Sequence, residues 1–142
     1  MSEKILILCT GNSARSQMAE GLLKYICRSE YEVFSAGTKP SAVRPEAIKA
    51  LAEIGIDISG NRSKSVDEFA NAEIDYVLTV CDNAQENCPY FPAKTKLIHQ
   101  SFEDPATVEG DEETRLKAFR AARDQIRTYL EETFLPMVKA NK

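Results

Sequence analysis

Residues 5–16 read Ile5-Leu6-Ile7-Leu8-Cys9-Thr10-Gly11-Asn12-Ser13-Ala14-Arg15-Ser16. The apolar run predicts a buried strand over 4–9. Beyond the loop, Met18, Leu22, Leu23, Ile26 and Cys27 recur at helical spacing, which predicts a helix over 16–28. A strand that passes into a helix through small and polar residues opens an α/β unit. The loop can then aim backbone N–H groups at one spot above the Cys9 sulfur, at the positive end of the helix. Such a cradle binds a tetrahedral anion and favours the thiolate, so the same dipoles stabilise nucleophile and substrate.

Outward from this unit, three more β-rich runs are predicted, over 32–36, 76–80 and 96–99. Helical patterns lie between and after them. The one over 45–54 opens on Pro45, which suits a first turn, and ends at Gly55. A short one over 66–72 is entered from Ser65, and a long one over 112–138 carries Leu116, Phe119, Ile126, Leu130 and Phe134 on one stripe. Pro136 should bend or end that last helix. Strands alternating with helices imply crossovers and a parallel sheet. The expected fold class is therefore α/β: a single domain over residues 1–142, with a four-stranded parallel sheet and helices on both faces in a Rossmann-like three-layer arrangement. Ligands of such sheets sit beyond the carboxyl ends of the strands. Cys9 and Cys81 each close a strand there, and Asp104 follows a third.

The 142 residues suffice for one sizeable core. A net charge of −4 gives no reason to expect nucleic acid or an anionic membrane as partner. No apolar stretch approaches the ~20 residues of a membrane span. The start, Met1-Ser2-Glu3-Lys4, runs into a strand without a signal peptide, so a cytoplasmic protein, and a monomer, is expected. Four cysteines, Cys9, Cys27, Cys81 and Cys88, should not form a structural disulfide set in a reducing compartment. Metal binding, catalysis and redox chemistry remain. The Cys81–Cys88 spacing is wide for zinc, and His99 is the single histidine, so a four-ligand zinc site fits poorly. Cys27, on the apolar stripe of the first helix, is assigned to packing.

Within the loop, Thr10, Gly11, Asn12, Ser13, Ala14 and Arg15 are the candidate oxyanion ligands. A free thiol titrates near ~8.5, and helix N-termini with adjacent cations bring such groups to ~3.5–7.5. Gly11 permits a left-handed backbone and Asn12 tolerates it. The Arg15 fork matches two oxygens of a tetrahedral anion. Ser16 is placed to donate a hydrogen bond to the sulfur, and Ser13 to cap the helix. Displacing oxygen from the anion needs a proton, which a carboxylic acid at Asp104 would supply, although Asp104-Pro105 also reads as a plain turn.

These residues resemble the low-molecular-weight tyrosine phosphatase fold family, and within it the thioredoxin-coupled arsenate reductases, over essentially the whole chain. The Cys-x5-Arg-Ser/Thr loop is matched by Cys9 to Ser16, and the late Asp-Pro by Asp104-Pro105. Two further redox cysteines of the reductase branch are matched by Cys81 and Cys88 in Cys-Asp-Asn-Ala-Gln-Glu-Asn-Cys-Pro. The resemblance implies a relay in arsenic detoxification. Cys9 attacks arsenate (phosphate or sulfate can occupy the same loop), Asp104 protonates the leaving oxygen, and Arg15 holds the oxyanion. Cys81 then attacks Cys9, Cys88 attacks Cys81, and thioredoxin resets the chain with no bound metal or organic cofactor. Were 81–88 helical, the two Cα atoms would stand ~10.5 Å apart, beyond the ~7 Å a disulfide allows. Oxidation is therefore expected to unwind the segment. A potassium ion of the reductase branch would find Asn12, Glu20 and Ser35, but its fourth place holds Lys64. An ammonium opposes a cation, so no potassium site is expected.

The leading alternative is a low-molecular-weight protein tyrosine phosphatase using the same loop and Asp104. Such enzymes stack a phenol between aromatics, whereas Ala106-Thr107 follow Pro105 here and residues 37–45 include no aromatic. Small inorganic arsenate suits the chain better, with weak phosphatase side activity. A non-catalytic oxyanion sensor, in which thiol oxidation is the signal, is a third reading; it needs no acid at Asp104.

Overall fold

The computed structural model describes residues 3–81 and 91–140. Four strands, β1 (Glu3–Cys9), β2 (Tyr31–Gly37), β3 (Tyr76–Thr79) and β4 (Lys96–His99), form one parallel sheet in the order β2-β1-β3-β4. The chain leaves β1 to one side for β2 and returns to the other side for β3. The strand order thus reverses at β1, where open α/β sheets bind ligands, and Cys9 ends that strand.

Helices α1 (Arg15–Cys27), α2 (Pro45–Ala52) and α3 (Glu112–Tyr129) gather on one face. Ile5, Ile7 and Cys9 of β1 point into this larger core with Leu78, Met18, Leu22, Leu51, Phe119, Ile126 and Phe134. The alternate residues Leu6 and Leu8 face a smaller core with Val77, Ala36 and Phe91. Phe34 and Phe69 pack there with ring centroids 5.5 Å apart. A 3-10 turn, Val66–Phe69, covers this second face. It is shorter than the helix the pattern over 66–72 predicts, and the Ser65 side chain caps it by accepting from the Asp67 amide. Strands buried on both faces read as unbroken apolar runs, which is why 5–8 shows no alternation.

Pro136 does not end the last helix. A π turn, Leu130–Phe134, follows α3 and leads into α4 (Leu135–Ala140), which contains the proline. Within it the Leu135 amide donates to the Leu130 carbonyl, five residues back. The ladder has shifted before the residue that lacks an N–H, so the helix continues. No helix among the described residues is long and apolar enough to cross a membrane.

Gly37 ends β2 opposite Cys9 and bridges to Ser65. A Cβ there would stand 2.4 Å from the Thr10 carbonyl oxygen and 2.9 Å from both the Asn12 nitrogen and the Cys9 oxygen. These are backbone atoms, which cannot swing aside. Gly37→Ala should therefore cost on the order of 1–3 kcal/mol, read as a lower urea midpoint. An unchanged midpoint would show that the close approach is not needed.

Candidate active site

Residues 10–14 leave β1 and turn into α1, and their carbonyls are bonded on the outer side. Thr10 O accepts from the Lys39 amide at 2.9 Å. Gly11 O accepts from the Ser63 hydroxyl at 2.9 Å and the Ser41 amide at 3.3 Å. Asn12 O accepts from Gln17 Nε2 at 3.3 Å, and Ser13 O from the Arg44 amide at 2.9 Å. Four successive peptide units tied outward by oxygen turn their N–H groups inward, which is the geometry of an anion nest. The first amides of α1 add to it, since a helix start leaves them without intrahelical acceptors. The N-cap is Ala14, with no side-chain cap bond. Ser13 therefore does not cap the helix as the sequence suggests. Capping would have placed a side-chain oxygen where an incoming anion belongs.

The left-handed residue is Asn12, at φ 47°, and Gly11 has no positive φ. A short polar side chain tolerates this conformation by bonding locally. All four polar positions of the Asn12 amide are used. Nδ2 donates to Ser16 Oγ (2.8 Å) and Ser35 Oγ (2.9 Å), while Oδ1 accepts from Gln17 Nε2 (3.0 Å) and the Lys64 amide (2.8 Å). Ser16 Oγ accepts from Asn12 and lies 3.0 Å from Cys9 Sγ, so its proton is available to a Cys9 thiolate, which can only accept. This bond favours a negative sulfur. The same logic runs outward: Ser35 accepts from Asn12 and donates to Glu20 Oε1 at 2.6 Å.

Glu20 is buried, with Lys24 Nζ 2.8 Å from Oε2 and Lys64 Nζ 3.8 Å from Oε1. Lys64 also donates to the Arg62 carbonyl at 3.2 Å. Burial pushes the Lys64 ammonium below the usual lysine range, and Glu20 pulls it back up. Asn12, Ser35, Glu20 and Lys64 thus do converge, with an ammonium at the fourth place. Among the described residues no group of three or more His, Cys, Asp or Glu is disposed to hold a metal ion.

Cys9, Thr10, Gly11, Ser13, Ala14, Arg15 and Asp104 line a cavity of about 160 Å³. It is small beside the ~300–1,000 Å³ of pockets for drug-sized ligands, and none of these residues is aromatic. The Arg15 guanidinium is buried; Nη1 donates to the Phe102 carbonyl at 3.1 Å, and Nη2 lies 3.6 Å from Asp104 Oδ2. Asp104 Oδ1 accepts from the Ala106 amide at 2.9 Å. The turn reading of Asp104-Pro105 is realised through Oδ1, while Oδ2 faces Arg15 and the residue lines the cavity.

Cys81 is fully buried in the same core cluster as Cys9, two residues beyond β3. The Val80 amide donates to the Leu8 carbonyl at 2.9 Å, so the β1–β3 pairing persists to this point. Cys9 ends β1 and Cys81 follows the adjacent strand β3, so both cysteines lie at the carboxyl ends of neighbouring strands. Cys81 is disulfide-bonded, whereas Cys9 and Cys27 are free thiols. Cys88, and with it the expected unwinding of 82–90, lies outside the described residues. Cys27 is a packing residue, its thiol pushed up by burial.

Sequence reasoning missed Gly37, Gln17 and the part played by Asn12 as the loop's central tie. The side-chain partners of Asn12 and Gln17 are 4 to 52 positions away. A glycine ending a strand beside the loop strand was the one available signal.

The chain matches the low molecular weight phosphotyrosine protein phosphatase family over residues 4–142. It is 47% identical over 129 residues to an arsenate reductase of Shouchella clausii (strain KSM-K16), covering 89% of this chain and 91% of that one. A solved arsenate reductase in its oxidised state superposes with a TM-score of 0.78 at 31% identity, covering 94% of this chain and 98% of that chain. A thioredoxin-dependent arsenate reductase of Corynebacterium glutamicum gives a TM-score of 0.66 at 27% identity, covering 95% of this chain and 63% of that chain.

Replacing Ser16 by alanine removes the hydroxyl aimed at Cys9. Alkylation of Cys9 by iodoacetamide at pH 7 should slow about tenfold, the worth of one hydrogen bond to a charged sulfur. An unchanged rate would mean that the sulfur does not rely on Ser16.

Proposed function

The chain belongs to the low molecular weight phosphotyrosine protein phosphatase family, and from that footing we propose that it is an arsenate reductase working by a three-cysteine relay. The observation that carries this reading is Cys81, buried in the same core cluster as Cys9 and two residues past the end of the adjacent strand. A phosphatase needs the loop cysteine alone.

In the proposed cycle arsenate enters the cavity over Cys9, held by the amides of residues 10–15 and by Arg15. The Cys9 thiolate forms a bond to arsenic as an As–O bond breaks, and the departing arsenate hydroxyl takes the Asp104 proton and leaves as water. A Cys81 thiolate then attacks Cys9 Sγ. The S–S bond forms, the S–As bond breaks, and its electron pair stays on arsenic, which leaves as arsenite. Two thiols have become one disulfide and As(V) has become As(III), so the electrons balance. Cys88 attacks Cys81 Sγ, which frees the Cys9 thiolate. Thioredoxin, a cytosolic dithiol, reduces the Cys81–Cys88 disulfide. A free Cys9 together with an oxidised Cys81 is what a chain awaiting that reductant would show. No bound metal or organic cofactor enters these steps, and the Lys64 ammonium beside Glu20 supplies the charge that a potassium ion would bring.

The size of the cavity and its non-aromatic walls favour an inorganic oxyanion over an aryl phosphate. The shared loop and acid still allow slow phosphoester hydrolysis. In a coupled assay with thioredoxin, thioredoxin reductase and NADPH, arsenate should drive NADPH oxidation. The rate should be equal in potassium and sodium chloride at matched ionic strength, and p-nitrophenyl phosphate should be hydrolysed far more slowly. Brisk hydrolysis without arsenate-dependent NADPH oxidation would make the chain a phosphatase. A specific potassium requirement would overturn the role given to Lys64.

A further inference from the structure

The segment between β4 and Pro105 holds both ends of the Arg15 guanidinium. The Phe102 carbonyl accepts from Nη1 at 3.1 Å, and two residues on the Asp104 carboxylate stands 3.6 Å from Nη2. Whatever fixes Phe102 therefore fixes the oxyanion clamp and the acid together. The Phe102 ring is buried edge-on against Tyr129, with centroids 5.8 Å apart at 73°. Tyr129 in turn packs on Phe134, 6.4 Å away at 39°.

That second contact exists because of the π turn. In a regular α-helix, residues five apart are rotated about 140° from one another and face different ways. In the π turn Leu130–Phe134, with its i to i+5 hydrogen bonding, each residue rotates less about the axis, so residues five apart come closer to one face. Tyr129, the last residue of α3, and Phe134 then share a face. Phe134 is fully buried and anchors the stack in the main core. The other flank of Tyr129 opens on a shallow groove with Gln100, Asp124 and Thr128. The ring thus stands between the core and the outer side of the segment that carries the acid.

We propose that Tyr129 is a positioning residue, its ring clamping Phe102 so that the Phe102 carbonyl and the Asp104 carboxylate hold Arg15 in the geometry that grips a tetrahedral oxyanion. This rests on the reading of the Cys9 loop as an oxyanion site and is independent of which oxyanion reacts. The ring is what acts, so Tyr129→Phe should retain function and Tyr129→Leu should not. Tyr129 is not among the residues that line the Cys9 cavity, and its loss should leave the Cys9–Ser16–Asn12 chain intact.

The test measures inorganic phosphate binding by calorimetry together with steady-state arsenate reduction. In Tyr129→Leu, phosphate affinity and kcat should each fall on the order of ten- to a hundredfold, the scale of a misplacement near 1 Å. Alkylation of Cys9 in the absence of oxyanion should match the parent. Tyr129→Phe should restore both quantities to within about twofold of the parent. Phe102→Leu keeps the carbonyl and removes the ring; it should reproduce the defect and serves if Tyr129→Leu does not fold. Folded ring-deletion variants with a lower melting temperature but parental phosphate affinity and kcat would overturn the proposal. Should the parent bind phosphate but not reduce arsenate, the activity reading fails, and the phosphate arm still decides the role of Tyr129.

Discussion

Four consecutive carbonyls, those of Thr10, Gly11, Asn12 and Ser13, are bound on the outside of the loop by groups from residues 39–44, Ser63 and Gln17. The site depends on this constraint. A peptide plane cannot turn its oxygen outward without turning its N–H the other way. Fixing the oxygens therefore aims the donors over Cys9 before any ligand arrives. Preorganised donors need no rearrangement at the moment of reaction, which makes such dipoles effective in catalysis. The segment that follows β2 is thus more than a connection to α2: its amides at Lys39, Ser41 and Arg44 set the loop. Gly37 lets β2 approach closely enough for them to reach it.

A second chain of bonds runs inward from the sulfur, through Ser16, Asn12 and Ser35 to Glu20. Its polarity is set by the Asn12 amide, which has two protons to give and gives one to each serine. The Ser35 hydroxyl donates on to the Glu20 carboxylate, and the Ser16 hydroxyl is free to donate to a Cys9 thiolate, which can only accept. The Glu20 charge is matched by Lys24 and Lys64, so the buried network ends on a satisfied ion cluster. An unpaired buried carboxylate would be far more costly.

The sheet was legible because strands buried on both faces show as unbroken apolar runs. Leu6 and Leu8 pack on one face while Ile5 and Ile7 pack on the other. The loop was legible because a cysteine, a glycine, an arginine and a hydroxyl fall at fixed places between a strand and a helix. Features set by tertiary contact were not. Ser13 reads as a cap by local rules, but in the fold the anion site takes the position a cap would fill. Gly11 and Asn12 both read as able to take the left-handed conformation, and long-range bonds to Lys64 and Ser35 accompany its placement at Asn12. Pro136 reads as a bend or an end, because local pattern cannot show that a π turn will shift the hydrogen-bond ladder ahead of it. The same turn brings Tyr129 to Phe134, a contact that helical spacing excludes.

The relay stands or falls on whether Cys81 takes the bond from Cys9. Peptide mapping of reduced Cys88→Ser protein after exposure to arsenate reads this directly. A Cys9–Cys81 disulfide, with about one arsenite released per chain and no further turnover, is the expected result. Arsenate left unreduced, or a product in which Cys9 and Cys81 are not joined, would contradict it.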